Sequence, residues 1–452
     1  MTQTLHLPRP QHPAWPFDTQ EARTILAQAA PVAMVALVNM AMSVTDTIMA
    51  AAHGPEALAA VAVGSDFYSI VFYLVAGTIG GLSPLYAEAS EARDETRLRT
   101  LRTAGWAIVA LAAIMAVPLI WTAPAYLHGV GIDRALLSRG EGYTQAMAVT
   151  IVPMAATALL RCRLTAIERP GLLLKVTLAA VPLNAVGNQI LMNGFGAWDG
   201  LGITGAGISS LVVSTFTALA LLFMAFRAGD FGGSTVVDRL AIEEILAVGL
   251  PIGIATLAEV GIFLSATLYA ATLGTEAAAA HSIAIRIAGV TYVLSVGLLQ
   301  ATAVRVARSR DHRRTIASAM GVSGGAGAIL AALLLTAAVL MAKGIEDEAV
   351  SMAGAMAAAA PLIALLATAE LVGPANAAAA GVLRGRKDTR ALMAFSILGN
   401  WIVAAPLGIA LASGGGWGAT GIWLGLTVGS VTASLLTIGR LRRHWHPKPV
   451  RY

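Results

Sequence analysis

Charge is scarce in this sequence: only 12% of its 452 residues are Asp, Glu, Lys or Arg. Soluble domains carry roughly 25%, so a chain long enough for about three of them could not clothe their surfaces in water. That shortage excludes a globular cytoplasmic enzyme. Cysteine is scarcer still. Cys162 stands alone, which excludes a disulfide-framed secreted scaffold. Also missing are a Walker A motif, a nucleophile–base constellation, and metal-ligand spacing among the eight histidines, His53, His128 and His281 included. Nothing here hydrolyses ATP, and no enzyme chemistry or cofactor is expected. Energy has to come from an ion gradient or a partner.

What is abundant is apolar length: 57% of the residues are hydrophobic. A membrane helix needs about 20 mostly apolar residues. Twelve such runs are predicted, near 24–52, 57–87, 103–125, 143–165, 172–193, 203–227, 241–272, 277–307, 315–342, 349–382, 390–412 and 417–439. The fold class is therefore an all-α polytopic membrane protein. Pro31, Pro84, Pro182, Pro251, Pro361 and Pro374 fall inside these runs, where neighbouring helices can satisfy freed carbonyls. Residues 1–23 are proline-rich and polar, with no apolar core before a cleavage site, and read as a cytoplasmic tail.

The formal charge of +5 would suggest nucleic acid if the basic residues were clustered on a soluble surface. Sorting the 30 Lys and Arg by connection gives another answer. With the N-terminus inside, 26 fall on tails and cytoplasmic connections, among them Arg97, Arg163, Arg305, Arg308, Arg384 and Lys387. Only Arg134, Arg139 and Lys343 fall outside, a strong positive-inside bias. Nucleic acid is set aside. The expected setting is a bacterial inner membrane, with both termini cytoplasmic.

Residues 31–91 and 251–311 match at a constant offset of 220. Gly54-Pro55-Glu56-Ala57 aligns with Gly274-Thr275-Glu276-Ala277, Pro31 with Pro251, and Thr47 with Thr267. Six helices per half is an even number, so both halves enter from the same side, as parallel repeats do. The expected organisation is a tail (1–23), an N-lobe (24–227), a Gly-rich cytoplasmic linker (228–240), a C-lobe (241–439) and a basic tail (440–452). The lobes are expected to flank a central cleft. Gly421, Gly425 and Gly429, at i, i+4 and i+8, predict close helix packing.

Polar groups inside the spans are costly and so become the functional candidates. They are Asn39, Asp46, Asp66, Asn184, Asn188, Glu259, Arg286, Gln300, Glu370 and Asn376. Asn184 and Asn188 share one helix face. An acid with amide oxygens nearby could take up a proton or a sodium ion; the alternative is structural glue, an acid bonded to backbone or serine. Asp66 and Arg286 differ by the repeat offset, which suggests a charge pair across the lobe interface or, alternatively, a partner for each within its own lobe. Gly200-Leu201-Gly202-Ile203-Thr204-Gly205 fits a dinucleotide fingerprint formally, but sits between two spans without a preceding strand. It reads as a turn.

Asp46-Thr47-Ile48-Met49-Ala50 resembles the helix 1 signature of the multidrug and toxic compound extrusion (MATE) family, in its bacterial NorM-like branch. The stretch Gly54–Gly64, Pro84, Leu250-Pro251-Ile252-Gly253 with Glu259, Ala279-Ala280-His281 and Ala380–Arg390 are similar to that family as well. The resemblance covers nearly the whole chain. It implies a monomeric antiporter that exports amphipathic, often cationic compounds in exchange for H⁺ or Na⁺. It also implies that Asp46 is the N-lobe coupling acid, with Asn184 and Asn188 beside it as a possible Na⁺ site, and that Glu259 is a C-lobe acid. One departure stands out. The family's helix 10 aspartate falls on Gly373, and the nearest acid is Glu370, one turn earlier. Either Glu370 takes over, or coupling runs mainly through Asp46. Asn39, Asp66, Phe67, Arg286 and Asn376 are expected at the cleft or between the lobes. Tyr68, Phe72 and Tyr73 would line the cleft, or else pack or face lipid. The alternatives are a lipid-linked precursor flippase of the same superfamily, which would show a basic cavity, and a non-transporting membrane enzyme or receptor.

Overall fold

A computed structural model describes residues 16–129, 131–227, 234, 236–309, 311–343 and 350–441. Most of the proposed tails and much of the proposed linker lie outside the described residues. Among the described residues, twelve helices are long and apolar enough to cross a bilayer. They are α1 (Thr19–Ala51), α2 (Pro55–Glu91), α3 (Glu95–Trp121), α4 (Glu141–Ala166), α5 (Pro170–Asn193) and α6 (Ile203–Arg227) in the first half. The second half holds α7 (Arg239–Thr272), α8 (Glu276–Arg308), α9 (His312–Ala342), α10 (Met356–Gly385), α11 (Thr389–Gly414) and α12 (Gly418–Arg440).

Several helices start or end beyond the apolar runs, because polar residues cap them outside the apolar stretch. Asp18 accepts the Gln20 N–H at 2.9 Å, so α1 begins five residues before the predicted start at 24. Asp94 accepts the Arg97 N–H at 2.9 Å and starts α3 at Glu95, eight residues before 103. Such side chains satisfy N–H groups that the first turn leaves open. α10 runs on to Gly385, which places Arg384 in a helix rather than the expected loop.

The repeat is visible in three dimensions. Gly54 and Gly274, 220 residues apart, both precede a helix with φ of 103° and 109°, a backbone region open mainly to glycine. The alternation of buried and exposed residues over 61–70 is reproduced position by position over 281–290. Gly200–Gly202 forms a turn between α5 and α6, with φ of +76° at Gly200 and +57° at Gly202, and Ile203–Gly205 begin α6. At Gly421, Gly425 and Gly429 an added Cβ would come within 2.5, 2.5 and 2.4 Å of α11 backbone atoms. The predicted close packing is therefore backbone against backbone.

The two halves meet at the end that carries most of the basic residues. α2 packs on α7, and α1 on α8. Two apolar clusters cross from one half to the other there. One joins Ile79 and Leu101 to Ile245 and Val304; the other joins Ile25 and Ala29 to Leu298 and Ala378. Toward the opposite end the large clusters each stay within one half. The lobes are thus closed at the basic face and part toward the other.

His281 is a buried histidine with two side-chain partners. Its Nδ1 accepts the Trp423 indole N–H at 3.1 Å, and its Nε2 lies 3.0 Å from Thr267 Oγ1. An indole only donates, so Nδ1 carries no proton and Nε2 donates to Thr267. The ring is a neutral tie between α7, α8 and α12. His281→Ala is expected to cost on the order of 2 kcal/mol by stranding the indole N–H. A thermal melt of the detergent-solubilised protein checks this, and an unchanged midpoint contradicts it.

Candidate functional site

Asp46 lies in the C-terminal half of α1, half-buried. α5 faces it with one polar edge. Asn184 Nδ2 and Asn188 Nδ2 both donate to Asp46 Oδ1, at 3.2 and 2.5 Å. Among the described residues no donor reaches Oδ2. The i, i+4 spacing read in the sequence thus puts both amides on one carboxylate oxygen. α5 is held in place by α6, where Ser209 Oγ packs on Gly187. Asn188 is fully buried and its Oδ1 has no partner. The charges of Asp46 and Asp66 both act on Tyr143 of α4, a residue the sequence offered no reason to single out.

The C-lobe holds two further acids. Glu259 of α7 is half-buried, and its Oε2 accepts the Tyr292 hydroxyl at 3.4 Å. The Arg384 charge from α10 also acts on Glu259. Glu370 of α10 is buried at 8% exposure, and its Oε1 accepts the Thr291 hydroxyl at 2.7 Å. Its other oxygen leans over Gly373, 3.0 Å from where a Cβ there would stand. Thr291 and Tyr292 are adjacent on α8 and escaped the sequence reading. One signal was available: Tyr292 is the repeat partner of Phe72. Asn39 is likewise the repeat partner of Glu259, so the two halves do not place their acids at equivalent positions.

Other expected positions are corrected. Asp66 and Arg286 are both exposed, and they form no ion pair in this conformation. The reason is the pairing of helices: α2 packs on α7 and α8 on α1, so symmetry mates do not face each other. Tyr68 is buried in the N-lobe core, stacked on Phe72 at 5.8 Å, and does not line a cleft. Phe67 and Phe72 pack against the same core. Tyr73 alone of the four is exposed, and it lies near enough to Tyr292 to interact with it across the lobes. Asn39 is exposed on α1. The amide oxygen of Asn376 is buried without a partner, away from the two carboxylates' hydrogen bonds.

The basic face is laced by ion pairs between lobes. Arg305 of α8 grips Glu21 of α1 with two hydrogen bonds (2.9 and 2.6 Å) and Glu168 with a third (2.8 Å). Arg308 reaches Glu91 at 3.2 Å. Arg97 pairs with Glu244, and Lys387 bridges Glu88 at 2.6 Å and Glu244 at 3.4 Å. Glu88, near the end of α2, thus joins the two lobes as an ion-pair partner of Lys387. Burial pushes the Glu168 carboxyl up, but the Arg305 hydrogen bond and charge outweigh it and hold it below the usual glutamate value. A carboxyl held low keeps its stabilising charge above the ordinary value and loses it only as pH falls through the lowered one. At neutral pH Glu168 therefore keeps its charge toward Arg305.

A sequence profile of the MatE family matches the chain twice, over residues 31–190 and 251–410, the same 220-residue step as the internal repeat. The chain belongs to the MATE family. It is 31% identical over 453 residues to the probable multidrug resistance protein NorM of Mesorhizobium japonicum, covering 96% of each. To the protein of the same name from Bradyrhizobium diazoefficiens it is 31% identical, covering 92% of each. The eukaryotic MATE transporter AtDTX14 has the same fold, with a TM-score of 0.80 at 19% identity, over 94% of this chain and 98% of that one. In this chain a glycine stands at 373 with the Glu370 carboxylate folded over it.

Proposed function

We propose that this MATE-family protein is a secondary active antiporter that exports amphipathic, cationic compounds in exchange for protons. The lobes rock so that the basic face and the opposite face open in turn, in a bacterial inner membrane with both termini cytoplasmic, and the protein works as a monomer without a cofactor. One observation carries the reading. Asp46 gathers both amides on Oδ1 and leaves Oδ2 to take a proton, at the end where the lobes part. Ionised, it attracts a cationic drug; protonated, it releases one. The coupling acid thus makes drug and proton mutually exclusive, which is what antiport requires.

A sodium reading is favoured by one feature, the unpartnered Oδ1 of Asn188 beside the carboxylate. Proteoliposomes decide between the two. Drug-induced proton release at constant sodium supports the proton reading, and export that needs a sodium gradient but no pH gradient replaces it. Export with neither gradient would exclude antiport of either kind.

Glu370 is proposed to serve where the family's aspartate is missing, because its carboxylate already fills the space above Gly373. Glu370→Gln preserves the acceptor for Thr291 but cannot ionise. Initial export rates in everted vesicles are expected to fall about threefold to tenfold, roughly 1 kcal/mol of lost coupling. An unchanged rate and pH profile would leave Glu370 a structural residue.

A flippase for lipid-linked anions would want a basic cleft. The exposed base on the parting helices is Arg286, set against Asp46, Asp66 and Glu259. The balance is acidic and suits cations.

A further inference from the structure

Arg384 of α10 stands apart from the other arginines near the basic face. Arg305 holds Glu21, Arg308 holds Glu91, and Arg440 holds Asp388 at 2.8 Å. The Arg384 guanidinium makes no ion pair and no hydrogen bond among the described residues, and its Nε is buried without a partner. Such a cation is costly, because nothing offsets its lost hydration. Packing fixes where it sits. α10 lies backbone to backbone on α8: a Cβ at Gly381 would stand 2.5 Å from the Leu299 carbonyl oxygen, and one at Gly385 2.6 Å from that of Ala303. Ala380 and Leu383 share an apolar cluster with Ala255 of α7, one turn before Glu259. The helix thus carries Arg384 to the basic side of Glu259, and the two charges act on each other. Glu259 Oε2 accepts the Tyr292 hydroxyl at 3.4 Å, and among the described residues no donor reaches Oε1.

We propose that Arg384 limits the affinity of the C-lobe for cations: it is an internal positive charge that opposes a cationic compound bound at Glu259 and speeds its release. This role rests on the cation export proposed above and names what sets the affinity there. Glu259 attracts the compound, and Arg384 opposes it through a medium of low dielectric. A closed ion pair would cancel both charges and leave the site neutral. Held apart, the acid keeps an open oxygen and the guanidinium keeps its field. An exporter needs that balance, since a site made of acids alone would hold its cation too long on the releasing side. An anionic compound of the same shape would feel the reverse, so Arg384 carries a signature that packing alone does not have.

The test uses the full-length protein in a neutral detergent and two probes of one shape and opposite charge, tetraphenylphosphonium and tetraphenylborate. Equilibrium dialysis measures each separately. Wild type should prefer the phosphonium, and Glu259→Gln should weaken its binding. Arg384→Gln should tighten phosphonium binding about tenfold and weaken borate binding, as the field of one charge at an effective dielectric of about 20 requires. Arg384→Lys, which restores the charge, should return both probes to within about threefold of wild type. In everted vesicles Arg384→Gln should lower KM and kcat for ethidium export together, the mark of tighter binding with slower release. A merely structural residue would move both probes in the same direction. That result, or no change in either probe, overturns the proposal. Phosphonium binding untouched by Glu259→Gln overturns it too, by placing the cation elsewhere. A wild type that binds borate as tightly as phosphonium would instead remove the cation-export reading, and this role with it. The guanidinium has no hydrogen bond to lose, so Arg384→Gln and Arg384→Met should both keep the wild-type melting midpoint or exceed it. If the glutamine variant does not fold, the methionine variant gives the same two readings; if neither folds, partners hold the arginine and the proposal fails.

Discussion

Asp46→Asn is expected to abolish drug export while leaving the protein folded and able to bind drug. Asparagine is nearly the same size, and its carbonyl can still accept an amide from Asn184 or Asn188, so α1 and α5 stay together. What is lost is ionisation. Without it, no charge change links proton uptake to drug release. A coupling acid is worth more than one hydrogen bond, because both halves of the exchange cycle pass through it. The expected fall in ethidium efflux from a drug-sensitive host is therefore about a hundredfold, ~2.7 kcal/mol on the rate scale. Ethidium binding to the purified variant should persist, but without the pH dependence of the wild type, whose binding weakens as pH falls. Efflux at the wild-type rate would remove Asp46 from the coupling role. Retained pH dependence in binding would move that role to Glu259 or Glu370.

The members of the Asp46 cluster were legible one by one because they obey local rules, while their meeting was implied only by the family resemblance. An acid in a span is costly, two amides at i, i+4 share a face, and lipid leaves such groups nowhere to go but inward. The twelve helices were legible for the same reason: the bilayer demands long apolar runs. Less legible was anything that depended on which helices meet. The offset of 220 correctly relates Asp66 to Arg286, yet symmetry-related positions face each other only near the axis. In this protein α2 and α8 each pack on a different helix of the other lobe.

The aromatic residues show the second limit. In a soluble helix the apolar stripe marks the core. In a membrane helix the lipid face is apolar too, so Tyr68 and Tyr73, five residues apart, could not be told apart by pattern. One is buried and the other exposed. Thr291 and Arg384 were missed because their importance lies only in Glu370 and Glu259, which come from other helices. Helix ends misled in a third way. Hydropathy cannot see Asp18 or Asp94, whose caps extend α1 and α3 beyond the apolar runs, where Glu21 and Arg97 join the latch.

The second large effect is expected at Gly249, where the lobes touch backbone to backbone. A Cβ at Gly249 would stand 1.9 Å from the Thr78 carbonyl oxygen, and one at Gly81 would stand 2.5 Å from Gly249 Cα. Gly77 and Gly253 repeat the contact one turn along, at 2.6 Å. Neither neighbour is a flexible side-chain tip, so Gly249→Ala can be accommodated only by moving α7 away from α2. Within a lobe that would unfold the protein. Between two lobes that rock, it tilts an equilibrium instead. The overpacking cost of ~1–3 kcal/mol falls on the conformation closed at the basic face and vanishes once the lobes part there. That shifts the two conformations by about 5- to 150-fold toward the one open at the basic face. Spin labels on Thr96→Cys and Arg390→Cys, exposed positions on opposite lobes, report the separation; Cys162 is buried and need not be replaced. Wild type should give mainly the short distance, and Gly249→Ala a dominant longer one at unchanged helix content. Arg305→Gln, which loosens the latch without forcing the helices apart, should shift the same distribution in the same direction by less. A Gly249→Ala protein that keeps the short distance and wild-type stability would mean that the α2–α7 contact does not gate access, and the rocking would have to pivot elsewhere.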